Sequence, residues 1–142
     1  MQETGVEYEL RVLDQSTRTS PLAAQALGCT ISEIAKSVVF VGHLTAVAVI
    51  SGDRRVDTGK LGGVVGGPLR PGTPEEVAAT TGYSIGGVPP FPHRNGVRVL
   101  LDRSITEHAR VWAAAGASNA VFRIRSFDLA RLVGGVVNDF ST

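Results

Sequence analysis

Lys36-Ser37-Val38-Val39-Phe40-Val41-Gly42-His43-Leu44-Thr45-Ala46-Val47-Ala48-Val49-Ile50 decides the fold. Two β-rich apolar runs, 36–41 and 44–50, flank Gly42-His43, a pair suited to a two-residue hairpin turn. The second run is almost wholly apolar. That pattern predicts a central strand covered on both faces rather than one with a wet side. Val38, Phe40, Val47 and Val49 are expected in the core.

Upstream, Val6, Tyr8, Leu10 and Val12 alternate with Glu7, Glu9, Arg11 and Leu13, the period of a half-buried strand. Residues 16–21, Ser-Thr-Arg-Thr-Ser-Pro, carry capping hydroxyls and a first-turn proline. They predict a short helix over 22–27, closed by Gly28. Thr30 or Ser32 is positioned to cap a second short helix through Ile31, Ile34 and Ala35. Downstream, Asp57 caps a helix through Lys60, Leu61, Val64 and Val65, ended by Gly66-Gly67-Pro68. Thr73-Pro74-Glu75-Glu76 starts another that runs to about Thr81. Residues 97–101, 111–115 and 121–124 read as strands. Residues 126–133 read as a capped terminal helix with Phe127, Leu129, Leu132 and Val133 as its apolar set. Strands and short helices mix without a repeating βαβ order. The expected class is α+β, a single domain with a mixed, mostly antiparallel sheet flanked by short helices.

The 142 residues suit one domain and leave no room for a second core. No apolar run approaches the length needed to cross a bilayer, and the N-terminus has no basic head or apolar stretch. A single cysteine, Cys29, forms neither an internal disulfide nor a cysteine-based metal site. These features point to a soluble, cytoplasmic protein. Lys+Arg is 14 against Asp+Glu 13. Gripping a long stretch of nucleic acid takes a larger positive excess, whereas contact with a single nucleic-acid end remains compatible with this balance. All the basic residues but Lys36 and Lys60 are arginines.

Lys36 stands where a short helix meets an apolar strand. An ammonium there needs a partner or a ligand, unless its stem packs and its head reaches water. Gly86-Gly87-Val88-Pro89-Pro90-Phe91-Pro92-His93 is neither an ordinary strand nor a helix. Such a rigid loop can aim free N–H groups at a carbonyl oxygen or phosphate, or simply turn the chain. His93 is a candidate general base or a surface histidine, and lacks metal-ligand spacing to His43 or His108. There is no Gly-x-Ser-x-Gly elbow, no P-loop and no strand-linked Gly-x-Gly-x-x-Gly. Cys29 reads as a small buried residue. Trp112, Arg54 and Arg55 read as a core tryptophan and a solvated turn, or as nucleic-acid contacts.

Several segments together resemble the YbaK and prolyl-tRNA-synthetase-associated editing domain family of aminoacyl-tRNA deacylases. They are Ile34-Ala35-Lys36-Ser37-Val38-Val39-Phe40, then Ser51-Gly52-Asp53-Arg54-Arg55-Val56-Asp57 leading to Lys60-Leu61. Thr81-Gly82-Tyr83-Ser84-Ile85-Gly86-Gly87-Val88-Pro89-Pro90 follows. Then come Leu101-Asp102, Ala115-Gly116 and Asn119-Ala120-Val121-Phe122. The likeness covers nearly the whole chain, 1–142, as one editing domain. Its specific parts are the Lys36 segment and the Gly-Gly-Val-Pro-Pro loop.

The resemblance implies a trans-editing hydrolase that cleaves the ester between a wrong amino acid and the 3′ end of its tRNA. It implies catalytic roles for Lys36, Gly86 and Gly87. It implies substrate contacts from Ser37, Val88, Pro89, Pro90, His93 and Asn119. It implies one pocket shared by Lys36 and the loop fifty positions away, with His93 near the rim. No metal or organic cofactor is implied. The partner is the tRNA acceptor end, with room for an aminoacyl-tRNA synthetase as a second, and neither membrane nor DNA. The serine and aspartate of the family's cysteinyl-specific branch are missing after Val111, where Ala113-Ala114-Ala115-Gly116 and Ala120-Val121-Phe122 stand. A non-catalytic module binding a tRNA end, nucleotide or amino acid in the same pocket is the alternative. Release of amino acid from mischarged tRNAs separates the two.

Overall fold

The computed structural model describes residues 8–14, 19–90, 97–117, 119–134 and 136–142. Its centre is the hairpin of β2 (Ile34–Gly42) and β3 (Thr45–Ser51), paired from Ala35↔Ser51 to Val41↔Thr45. The turn holds Gly42, His43 and Leu44, one residue more than the sequence indicates. Gly42 stays extended because it also pairs with Leu69 of the short strand β4 (Leu69–Pro71). A Cβ on Gly42 would stand 2.5 Å from the Pro68 carbonyl oxygen, so only glycine lets the two backbones approach this closely.

The remaining strands are β1 (Tyr8–Val12), β5 (Arg98–Asp102), β6 (Arg110–Ala117), β7 (Ala120–Arg125) and β8 (Val137–Asn138). The sheet order is β1-β7-β6-β2-β3-β5-β8, with β4 added to β2. Antiparallel pairs are β1/β7, β6/β7, β2/β3 and β2/β4; parallel pairs are β2/β6, β3/β5 and β5/β8. The sheet is therefore mixed, as expected. Ala46, Val47, Ala48, Val49 and Ile50 of β3 are fully buried, which is the two-sided burial their composition requires.

Each face of the sheet has its own cover. On one face Val39, Val47, Val49, Leu101, Phe122 and Ile124 pack with Val77 of α3 (Pro74–Thr81) and Leu129 of α4 (Ser126–Leu132). On the other, Phe40, Ala48 and Ile50 pack with Leu61 and Val65 of α2 (Thr58–Val65) and with Phe140. Further along that face Ile34, Trp112 and Val121 pack with Ala23 and Ala24 of α1 (Ser20–Leu27). The helix starts follow the capping signals. Thr19, Asp57 and Thr73 accept from the amides of Leu22, Lys60 and Glu76, and α1, α2 and α3 stop at Gly28, Gly66 and Gly82. Arg70 of β4 chelates Glu76 of α3 at 2.8 and 2.7 Å and holds that carboxyl down to about 2.

Four expectations are corrected. The segment capped by Thr30 stops after one 3₁₀ turn, Ile31–Glu33, because Ile34 and Ala35 are drawn into β2 by pairing with Trp112 and Ala113. Leu10 and Val12 remain 56% and 70% exposed. β1 is the outermost strand, and in its pairing only Tyr8, opposite Ile124, packs against the core; Val6 lies outside the described residues. Val38 is half-buried rather than core, while Phe40, Val47 and Val49 are buried. The helix α4 has Arg125 at its cap position with no side-chain cap. The Ser126 hydroxyl instead donates to the His108 carbonyl, and Phe127 points outward under the Arg131 guanidinium.

Asp102, part of one of the family-like segments, is structural. Fully buried at the end of β5, it accepts from the amides of Ser104 (2.9 Å) and Phe140 (2.8 Å), tying the C-terminal segment to the sheet. Burial pushes its carboxyl up. The Ser104, Phe140 and Ser141 donors together outweigh burial and hold it below the usual carboxylate range. Its contribution to stability is thus complete above the ordinary value and is lost as pH falls through the depressed one. Asp102→Asn should cost about 1–3 kcal/mol in urea unfolding at pH 7. The gap to the wild type should narrow at pH 3.

Candidate functional site

One edge of β2 is shared by two strands that never meet. β6 pairs only with Ile34 and Ala35; β4 begins pairing only at Phe40. Between them the ladder is interrupted, bridged among the described residues by the Gly72 amide bonding the Val39 carbonyl at 2.8 Å. In strand geometry the backbone groups of Ala35, Ser37 and Val39 face this edge, so those of Ser37 belong to neither ladder. The sheet parts here, and the parting is a cleft of about 350 Å³, of the size that takes a small ligand.

Side chains alternate across β2, so Lys36 and Ser37 leave on opposite sides yet both border the opening. Val39, Val77, Val88, Ile85 and Gly86 line one side; Thr19, Ser20, Pro21, Trp112 and Val121 line the other. The lining is mostly apolar. Within it the Ser37 hydroxyl oxygen is buried and, among the described residues, has no hydrogen-bond partner. Such a hydroxyl is available to a ligand or a water entering the cleft.

Lys36 is half-buried and, among the described residues, has no carboxylate within ion-pair distance. Burial pushes its ammonium below the usual lysine value. Nearby Arg55 pushes the same way, and Asp53 pulls back. An ammonium without an ion pair beside an apolar opening is a ready site for an anion or a developing negative charge.

The loop meets Lys36 at this opening. Gly86 has φ 86°, a conformation that strains any side-chain-bearing residue, and it lines the cleft. The Gly87 amide closes a turn on the Ser84 carbonyl at 2.9 Å, and the residue lies against the Ala117 backbone, where a Cβ would sit 3.3 Å away. Val88 reaches the lining. Gly87, Pro89 and Pro90 are buried behind it, backing the turn rather than touching the space. His93 lies outside the described residues.

Asn119 is absent from the lining. Its amide donates to the Leu13 carbonyl at 3.1 Å, and its carbonyl accepts from the Leu13 amide at 2.8 Å, so it fastens the β6–β7 turn to the end of β1. Cys29 is a partly buried thiol pushed up by burial, with no nucleophilic character. Arg54 pairs with Glu107 at 3.2 Å on the surface.

Sequence reasoning overlooked Thr19 and Ser20 as lining residues, because their hydroxyls already explained a helix start. Trp112 is 5% exposed and packs on α1 as a core tryptophan would, and it also walls the cleft.

A family model of the aminoacyl-tRNA editing domain matches residues 14–132. The uncharacterized protein YwhH of Bacillus subtilis (strain 168) is 32% identical over 126 residues, covering 87% of this chain and 80% of that one. The crystal structure of hypothetical protein APE2540 superposes with a TM-score of 0.93 at 30% identity, over 99% of this chain and 95% of that one. A candidate trans-editing enzyme for prolyl tRNA synthetase superposes with a TM-score of 0.86 at 43% identity, over 95% and 87% of the two chains.

The unpartnered hydroxyl gives a prediction independent of any activity. Ser37→Ala removes a buried group that makes no bond, so thermal and urea unfolding of the free protein should show unchanged or slightly increased stability. A loss of about 1 kcal/mol or more would mean that the hydroxyl already has a structural partner.

Proposed function

The chain belongs to the aminoacyl-tRNA editing domain family, and on that footing we propose that it is a trans-editing hydrolase removing wrong amino acids from the 3′ ends of tRNAs. The observation that carries this reading is the unneutralised Lys36 ammonium bordering the same opening as the Gly86 turn. The whole chain acts as one editing domain. Its setting is the cytoplasm, where charged tRNA is found; no described helix is long and apolar enough to cross a membrane.

The chemistry asked of the cleft is modest. An aminoacyl ester is already activated, so the protein has to aim its carbonyl, stabilise the oxyanion and admit water. Hydrolysis breaks the acyl C–O bond. The carboxyl leaves with the amino acid, and the ribose oxygen regains its proton. Lys36 supplies positive charge to the developing oxyanion or to the phosphate of the terminal adenosine. Gly86 and the side chain of Val88 shape the other wall, braced by Gly87, Pro89 and Pro90. Ser37 offers its free hydroxyl and unladdered backbone to the polar atoms of the aminoacyl ribose. His93, which the family resemblance assigns a substrate contact, is not required as a base in this scheme. An aminoacyl-tRNA synthetase is the second partner in this reading, which is supported by the likeness to the candidate trans-editing enzyme for prolyl tRNA synthetase.

Single-turnover deacylation of a panel of mischarged tRNAs tests the reading. Lys36→Ala should slow the step by about 100-fold or more while the protein stays folded. Lys36→Arg should restore only part, since a planar fork does not replace a compact ammonium. His93→Ala should cost far less. Full activity in Lys36→Ala would remove Lys36 from the mechanism. A wild type that clears no tRNA but binds its end would make the protein a binding module.

The depressed ammonium sets a pH dependence. The charged form is the active one, and burial favours its loss. After subtraction of spontaneous ester hydrolysis, the rate should therefore decline at a pH below that at which an ordinary lysine loses its charge. Lys36→Arg should abolish that decline. An alkaline limb unmoved by Lys36→Arg would contradict the assignment.

A further inference from the structure

Cross-strand register gathers arginines onto the sheet face next to the cleft. Arg123 stands opposite Trp112, Arg125 opposite Arg110, and Arg11 opposite Val121, so all four arginines share one face of β1, β7 and β6. Trp112 and Val121 also line the cleft, and the arginines begin where that wall ends. The Arg11 and Arg123 guanidinium carbons lie 5.0 and 5.7 Å from the Trp112 ring centroid, which orders both groups beside the opening. A separate groove of about 170 Å³ is lined by Tyr8, Glu9, Ile124, Arg110, Arg123 and Arg125.

Among the described residues three carboxylates approach this face, and each is engaged. Glu9 holds Arg11 at 2.7 Å, Asp128 holds Arg125 at 2.9 Å, and Glu33 is tied to Thr30 in its capping box. Among the described residues Arg110 and Arg123 have no ion pair. Like charges directly opposite each other in a sheet destabilise it, yet Arg110 faces Arg125. Asp128 already answers Arg125, which leaves Arg110 without a counter-charge among the described residues, one that a polyanion lying across the face would supply.

We propose that this arginine face binds the sugar-phosphate backbone of the tRNA acceptor strand, with the strand passing over Trp112 so that its terminal nucleotide enters the cleft. The inference rests on the deacylase reading for the identity of the RNA. Guanidinium forks match phosphate geometry, and rows two residues apart along a strand lie about 6.7 Å apart. That gives the surface room for two or three backbone phosphates while the overall net charge stays at +1.

The test compares two esters of the same amino acid, one on full-length tRNA and one on the terminal CCA trinucleotide. Arg110→Glu turns the opposed pair into a cross-strand ion pair, so its melting temperature should equal or exceed that of the wild type. On full-length tRNA its kcat/KM should fall about tenfold at low salt, the gap closing as salt rises, with a salt slope shallower by about 1. On the trinucleotide ester, which does not reach Arg110, the rate should match the wild type. Equal rates on full-length tRNA, or equal losses on both esters, overturn the proposal. So does an Arg110 effect that emerges only when a synthetase is added, which would assign the face to a protein partner. If the wild type cleaves neither ester, the deacylase reading fails, and anisotropy with uncharged tRNA then decides the surface separately. Binding weakened by Arg110→Glu sustains the arginine face; unchanged binding removes it.

Discussion

The interrupted ladder along β2 is the constraint on which the rest of the site depends. A strand in the middle of a sheet normally spends both edges on hydrogen bonds. Here β6 leaves after Ala35 and β4 arrives at Phe40, so one stretch of a central strand is exposed without being at the sheet's rim. The full β3 ladder on the opposite edge keeps that stretch straight and rigid. The result is a cleft built on a strand rather than on a mobile loop, with Lys36 and Ser37 held by the most buried hairpin of the protein. Functional groups on such elements keep their geometry better than groups on loops.

Two buried ionisable groups illustrate how differently charge is treated in this fold. Asp102 is surrounded by donors that hold its ionised form, and it secures the C-terminal segment. Lys36 is half-buried with no ion pair among the described residues; Arg55 adds to the cost, and Asp53 offsets only part of it. A charge that weakens the folded state and survives in it is doing something other than folding. The unpartnered Ser37 hydroxyl beside it fits the same logic, as does the opposition of Arg110 and Arg125 farther along the sheet.

Much of this was legible in the residues. The central strand and the caps at Thr19, Asp57 and Thr73 follow from local pattern, because capping and two-sided burial are local physics, whereas the motifs around Lys36 and Gly86 stand out through the family resemblance. What failed was non-local. Nothing near Leu10 and Val12 tells that β1 is the outermost strand, so their alternation predicted burial that they lack. Gly42 reads as a turn residue until Leu69 is known to lie beside it. The strands β4 and β8 are too short to carry a period. Asn119 sits in a family-like segment, and only the Leu13 contacts reveal that it fastens two strands. Lys36 and Gly86 could be joined across fifty positions by resemblance alone, whereas the parting of the sheet that joins them is a property of topology.

The central claim is that the parting at β2 is the aminoacyl-ribose site. It is tested most directly by a crystal structure with a 3′-aminoacyl analogue of adenosine 5′-monophosphate whose ester is replaced by an amide. The account predicts the aminoacyl group inside the parting, Ser37 hydrogen-bonded to it, and the Lys36 ammonium directed at the carbonyl oxygen or the adenosine phosphate across from Gly86. An analogue ordered elsewhere on the protein, with the Ser37 hydroxyl still unpaired and Lys36 turned to solvent, would contradict it.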